Sequence, residues 1–139
     1  MTEHLDSYPY RVSIDTRWHD NDIYGHVNNV VYYSYFDSTI HRYLIERGGL
    51  DIHNGDVIGF VVSSRCDYLG PVAYPAALTV GLRVAKLGNS SVTYALGLFD
   101  GCGELKARGE VVHVFVGRDS QTPCAMPDLL RNSLKNITM

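Results

Sequence analysis

Arg17-Trp18-His19-Asp20-Asn21-Asp22-Ile23-Tyr24-Gly25-His26-Val27-Asn28-Asn29-Val30-Val31-Tyr32-Tyr33 is the stretch on which the reading of this chain turns. Just upstream, Tyr10, Val12, Ile14, Thr16 and Trp18 alternate with Arg11, Ser13, Asp15 and Arg17. That period of two predicts a half-buried strand from Tyr8 to Trp18. Downstream, Tyr32, Phe36, Ile40, Tyr43 and Leu44 recur at helical spacing, and Val30, Val31, Tyr33 and Tyr35 make the first half apolar nearly all round. The pattern predicts a helix from about Asn28 to Arg47, buried on most sides, with Gly48-Gly49 as a left-handed end cap. Between strand and helix lies Asp20–His26, a loop that holds two carboxylates, an amide and a histidine. Charged groups beside a buried element are costly unless paired. A carboxylate next to free helix N–H groups is a setting for acyl chemistry, with donors for a developing oxyanion and a base or nucleophile at hand.

Beyond the helix the pattern is one of strands. Val57–Leu69 is the first, ended by Gly70-Pro71. Leu78–Leu87 alternates cleanly, Gly88-Asn89-Ser90 turns, Ser91–Phe99 follows, and Asp100-Gly101-Cys102-Gly103 is a hairpin signal leading to Leu105–Val116. A short amphipathic helix is expected over residues 126–136, with Pro127 near its first turn. Residues 1–7 read as a loose tail, and no repeat or linker divides residues 1–139, so one domain is expected. Hairpin-linked strands imply an antiparallel sheet. The fold class is therefore α+β, an antiparallel sheet wrapped around a long central helix.

Composition narrows the function. With 45% hydrophobic and 19% charged residues the chain can bury a sizeable core, and its net charge of −3 gives no basic footprint for nucleic acid or an anionic membrane. No apolar run approaches the roughly twenty residues of a membrane helix. The polar, acidic start of the chain resembles neither a signal nor a transit peptide. Its three cysteines have no framework spacing, which points to free thiols in a reducing, cytoplasmic setting. The six histidines contain no His-x-x-x-His pair, and Asp20-Asn21-Asp22 does not continue as a calcium loop, so no metal and no organic cofactor are expected.

The element order and Asp20-Asn21-Asp22-Ile23-Tyr24-Gly25-His26-Val27-Asn28-Asn29 resemble the hot-dog fold thioesterases, specifically the 4-hydroxybenzoyl-CoA thioesterase-like family. The resemblance covers roughly Arg11 to Val116 and includes the spacing of Arg65, Tyr68 and Pro71. It implies hydrolysis of an acyl-CoA or acyl-carrier-protein thioester by a homodimer or a tetramer of dimers. The family's carboxylate, three residues before the Gly, maps to Asp22, and the backbone N–H that polarises the thioester carbonyl maps to Asn29. His26 matches the histidine of the acyl-carrier-protein enzymes, whereas Tyr24 stands where those enzymes have Asn. The substrate side is expected to include Tyr24, Asn28, Tyr33, Arg65, Lys86, Ser90 and Ser91. Asn89 and Ser90 replace the basic residues that meet CoA phosphates in the benzoyl-type enzymes. Positive charge must then come from Arg65, Arg83, Lys86 and Arg108. Asp20 is expected to tie the loop together, and Asn28 or Asn29 to cap the helix. A non-catalytic acyl-ligand-binding module on the same fold is the alternative.

Overall fold

Alternation along the strands decides which face of the sheet takes the helix. In the computed structural model, which describes residues 3–139, β1 (Tyr10–Asp15) is followed by α1 (Asn29–Glu46), β2 (Val57–Tyr68), β3 (Ala77–Leu87), β4 (Ser91–Phe99), β5 (Leu105–Gly117) and α2 (Asp128–Lys135). The strands form one antiparallel sheet in the order β1-β3-β4-β5-β2. Leu78, Val80, Leu82 and Val84 of β3, Val92, Tyr94, Leu96 and Leu98 of β4, and Ala107, Val111 and Phe115 of β5 are buried beneath α1, which contributes Phe36, Ile40 and Leu44. Gly109 makes the close approach of α1 feasible, since a Cβ there would lie 2.5 Å from the Phe36 ring. This is the hot-dog arrangement.

Three expectations need correction. First, the alternation stops early: β1 ends at Asp15, and Trp18 is 77% exposed. The chain leaves the sheet at Thr16, whose amide and hydroxyl both bond the Ala76 carbonyl, and turns into a short 3-10 segment, Trp18–Asp20. Second, the first turn of α1 is not covered all round. Val30 is 73% exposed and Val31 half-buried, because the sheet shields one side of the helix only. Third, the residues expected as a loose tail are tied down from Glu3 onward, residues 1 and 2 lying outside the described part. β2 is also more open than its composition suggests: Phe60, Val61 and Val62 are exposed at the sheet's edge. Tyr8 covers Gly81 and Gly97 on the face away from α1, and its hydroxyl donates to Glu3 at 2.7 Å. Arg83 lies over the Tyr8 ring at 5.0 Å and pairs with Glu3 at 3.4 Å.

Candidate active site

The Asp20–Asn28 loop is a miniature hairpin. Asn21 and Val27 bridge as in an antiparallel pair, the Asp22 amide donates to the His26 carbonyl at 2.9 Å, and the Gly25 amide to the Asp22 carbonyl at 3.0 Å. Gly25 closes the turn at φ 83°, a conformation that a residue with a Cβ adopts only under strain. The hairpin is held at both ends. Val27 donates to the Val72 carbonyl at 2.8 Å, and Asn28 to the Asp20 carbonyl at 2.9 Å.

Asp20 is the anchor of this loop. It is 1% exposed and accepts from the Arg17 amide at 2.9 Å, the Arg17 guanidinium at 3.2 Å and the Tyr35 hydroxyl at 2.7 Å. Burial alone would raise its pKa. The hydrogen bonds from the Arg17 amide, Tyr35 and the Arg17 guanidinium outweigh burial and hold the carboxyl below its ordinary value. Asp20 thus ties the loop to α1, as its sequence context predicts.

Asp22 is only partly covered. One carboxylate oxygen accepts the Tyr24 amide at 2.9 Å; the other has no hydrogen bond among the described residues. At the start of α1, Asn28 is the N-cap: its side chain accepts the Val30 amide at 3.0 Å, and its carbonyl accepts the Val31 amide at 2.9 Å. Such a cap is worth about 1 kcal/mol. The Asn29 amide is left without a partner among the described residues, one of the free donors that a helix start provides.

A cavity of about 490 Å³ joins these groups. Asp22, Tyr24, His26 and Asn29 supply its polar lining; Val27, Tyr32, Tyr68, Leu69, Gly70 and Pro71 supply a mainly apolar wall. Its size suits a small-molecule ligand. The Tyr68 hydroxyl donates to the Asn29 carbonyl at 3.0 Å, and its ring packs edge-on against Tyr32 at 5.0 Å. Sequence reading brought Tyr68 and Pro71 forward only as a spacing. Leu69 and Gly70 carried no signal as site residues, since they become neighbours of the loop only when the end of β2 folds over it.

The other sequence candidates scatter. Asn28 is absent from that cavity and lines a neighbouring one with Trp18, His19 and Ile23, to which Asp22 and Tyr24 also contribute. Tyr33 lines a separate cleft with Ser34, Asp37, Val61, Ser64 and Val111. Arg65, Arg83 and Arg108 meet around a cavity of about 350 Å³ on the sheet face away from α1, together with Glu3, Asp67 and Glu110. Arg65 lies 3.9 Å from Asp67, while Arg108 has no ion pair among the described residues. Lys86 is exposed on β3, and Ser90 and Ser91 stand at the turn into β4; the Asp22 cavity includes none of the three. No helix among the described residues is long and apolar enough to cross a membrane.

This combination of wrapped helix and carboxylate loop has relatives. The model of the thioesterase superfamily matches residues 24–107, and the chain belongs to that superfamily. The crystal structure of the PA5185 protein of Pseudomonas aeruginosa strain PAO1 is 55% identical, covers 99% of this chain and 97% of its own, and superposes with a TM-score of 0.96. A Thermus thermophilus thioesterase, crystallised with coenzyme A and zinc, is 30% identical over 92% of this chain and 98% of its own, with a TM-score of 0.79. The uncharacterised protein YsmA of Bacillus subtilis strain 168 is 27% identical over 128 residues, 92% of this chain and 86% of YsmA. The family match begins at Tyr24, so Asp22 stands on its geometry and not on that match.

Proposed function

We propose that the protein hydrolyses acyl-CoA thioesters, with Asp22 as general base or nucleophile and the Asn29 amide as the oxyanion donor. The observation that carries this reading is that Asp22, whose carboxylate is partly free, and Asn29, whose amide has no partner among the described residues, line one cavity with an apolar wall. The thioester carbonyl oxygen sits at the helix start, where the partial positive charge stabilises the tetrahedral oxyanion. The acyl group lies along Val27, Tyr32, Tyr68 and Leu69. In one route Asp22 takes a proton from water, hydroxide adds to the carbonyl carbon, the C–S bond breaks and the thiolate leaves with the proton. In the other, Asp22 adds directly and forms an acyl anhydride as the thiolate departs; water then cleaves the anhydride. His26 borders the same space and is suited to contact the thiol side.

Coenzyme A in the Thermus thermophilus relative supports CoA as carrier. Arg65, Arg83 and Arg108 are the candidate partners for its phosphates, Arg108 being the one of the three without an ion pair among the described residues; Lys86 is a further exposed cation near Ser90 and Ser91. An acyl-carrier-protein thioester is the competing substrate. The three free cysteines agree with a cytoplasmic setting. The exposed apolar edge of β2 favours pairing of two copies into a continuous sheet, and two such dimers into a tetramer.

The test is a panel of acyl-CoA and acyl-carrier-protein thioesters assayed for thiol release. Turnover of at least one acyl-CoA that disappears in Asp22→Asn supports the reading. Saturable binding with no turnover of any thioester would replace it with the ligand-binding module.

A further inference from the structure

The middle of α1 carries a second cluster, apart from the Asp22 cavity. Asp37 and His41 are one helical turn apart, and β5 brings His113 against them, the two imidazole rings lying 5.5 Å apart by their centroids. The carboxylate and ring nitrogens of the three residues able to bind an ion all lie within 4.8 Å of one another. An Asp37–His41 pair at 3.3 Å is an ordinary helix-surface contact and needs no ligand. His113 is different. It is 0% exposed, and its Nε2 has no hydrogen-bond partner. Leaving a buried polar nitrogen unpaired costs about 1–3 kcal/mol, and native interiors keep few such atoms without a use.

We propose that Asp37, His41 and His113 bind a divalent transition-metal ion of the zinc class, which pins the middle of α1 to β5. The surroundings of both rings fit that role. Nδ1 of His41 donates to the Asp37 carbonyl at 3.0 Å, and Nδ1 of His113 faces the Tyr94 hydroxyl at 3.2 Å. Metal-binding histidines are commonly held in this way, by an oxygen partner on the nitrogen that does not ligate. Each ring then offers Nε2 as the ligand atom. Two imidazoles and one carboxylate suit zinc, copper or nickel; magnesium and calcium take oxygen ligands. Tetrahedral ligands at ~2.1 Å from an ion stand roughly 3.4 Å apart. Closing from the present spacing, at most 4.8 Å, falls chiefly to the exposed Asp37 side chain, with the two rings held. Asp37 is exposed and His41 half-exposed, so an ion can reach the site from solvent. Asp37 and His41 sit on α1 and His113 on β5, so no sequence spacing advertises the site. The proposal does not depend on thioester hydrolysis.

Metal-stripped full-length protein titrated with Zn²⁺ alone, followed by calorimetry and thermal unfolding, tests it. The expected result is one Zn²⁺ per chain and a rise in Tm. Asp37→Asn and His41→Gln, both at the surface, should each weaken binding by at least ~10-fold, the lower end for disturbing a metal site, with unchanged circular dichroism. Co²⁺ in place of Zn²⁺ should give visible absorption that the same variants lose. His113→Gln should abolish binding; if it fails to fold, the two surface variants decide. Cys102→Ser should leave binding unchanged. No uptake by the parent protein, equal affinity in both surface variants, or loss of binding in Cys102→Ser would overturn the proposal.

Discussion

The Tyr35 hydroxyl donates to the Asp20 carboxylate at 2.7 Å, and through this buried bond α1 holds the loop that carries Asp22. Tyr35→Phe keeps the ring and removes the bond. Asp20 then retains only Arg17 as a partner inside a site closed to water. We expect a loss of about 1.5–3 kcal/mol, the range for hydrogen bonds to charged groups, read as a lower denaturant midpoint. Unchanged stability would show that Asp20 is not the anchor of the loop.

Two aspartates two residues apart should respond differently to the same change. Asp22→Asn keeps size and the bond to the Tyr24 amide but removes basicity. We expect kcat to fall by at least ~10²-fold, the scale of a lost general base, with KM and oligomeric state little altered. Asp20→Asn should reduce stability more than rate. Steady-state kinetics beside unfolding curves for the pair will show this, and near-normal turnover by Asp22→Asn would refute the mechanism.

The depressed pKa of Asp20 gives an acid limb to stability. Its folded-state value lies below the unfolded value of about 3.9. The stabilisation is therefore complete above that value and is lost as pH falls through it toward the folded pKa, because the unfolded chain takes up the proton first. Midpoints measured between about pH 6 and pH 3 should drop for the parent protein and drop less for Asp20→Asn. Parallel curves would exclude Asp20 as a contributor.

The β2 edge predicts assembly. Phe60, Val61 and Val62 present an apolar strand edge that a second copy can cover. Light scattering should give at least a dimer at micromolar concentration, and Val62→Lys should shift it toward the 15.5 kDa monomer. A parent protein that is already monomeric contradicts the prediction.

Phosphate recognition by the arginine cavity can be separated from acyl recognition. Arg65→Gln combined with Arg108→Gln should raise KM for acyl-CoA several-fold and leave a short thioester without the nucleotide unaffected. Equal losses on both would assign these residues to structure.

Much of this was legible from the sequence because the relevant residues are close together in it. The stripe Tyr32, Phe36, Ile40, Tyr43, Leu44 is buried as its spacing predicts, and β4 runs over Ser91–Phe99 as read. Asp22, Tyr24, His26 and Asn29 fall within eight positions and share one cavity. What escaped was set by long-range packing. Val30 and Val62 are as apolar as any core residue, and a single chain does not reveal which apolar side chains its own sheet leaves open. Tyr68 to Pro71 join the cavity because Val72 accepts the Val27 amide. Neither His41 nor His113 announces the other, lying on different elements.

The single backbone bond from Val27 to Val72 separates two kinds of inheritance. The groups proposed to break the thioester come from one contiguous segment, and much of the wall that would contact the acyl chain comes from another, joined to it at that point. Side chains at Leu69 and Pro71 can therefore drift while the backbone contact, together with the Tyr68 bond to the Asn29 carbonyl, holds the reacting groups in place. A lineage can exchange one acyl group for another by rebuilding the wall alone, and laboratory selection for a new substrate should find its first gains there.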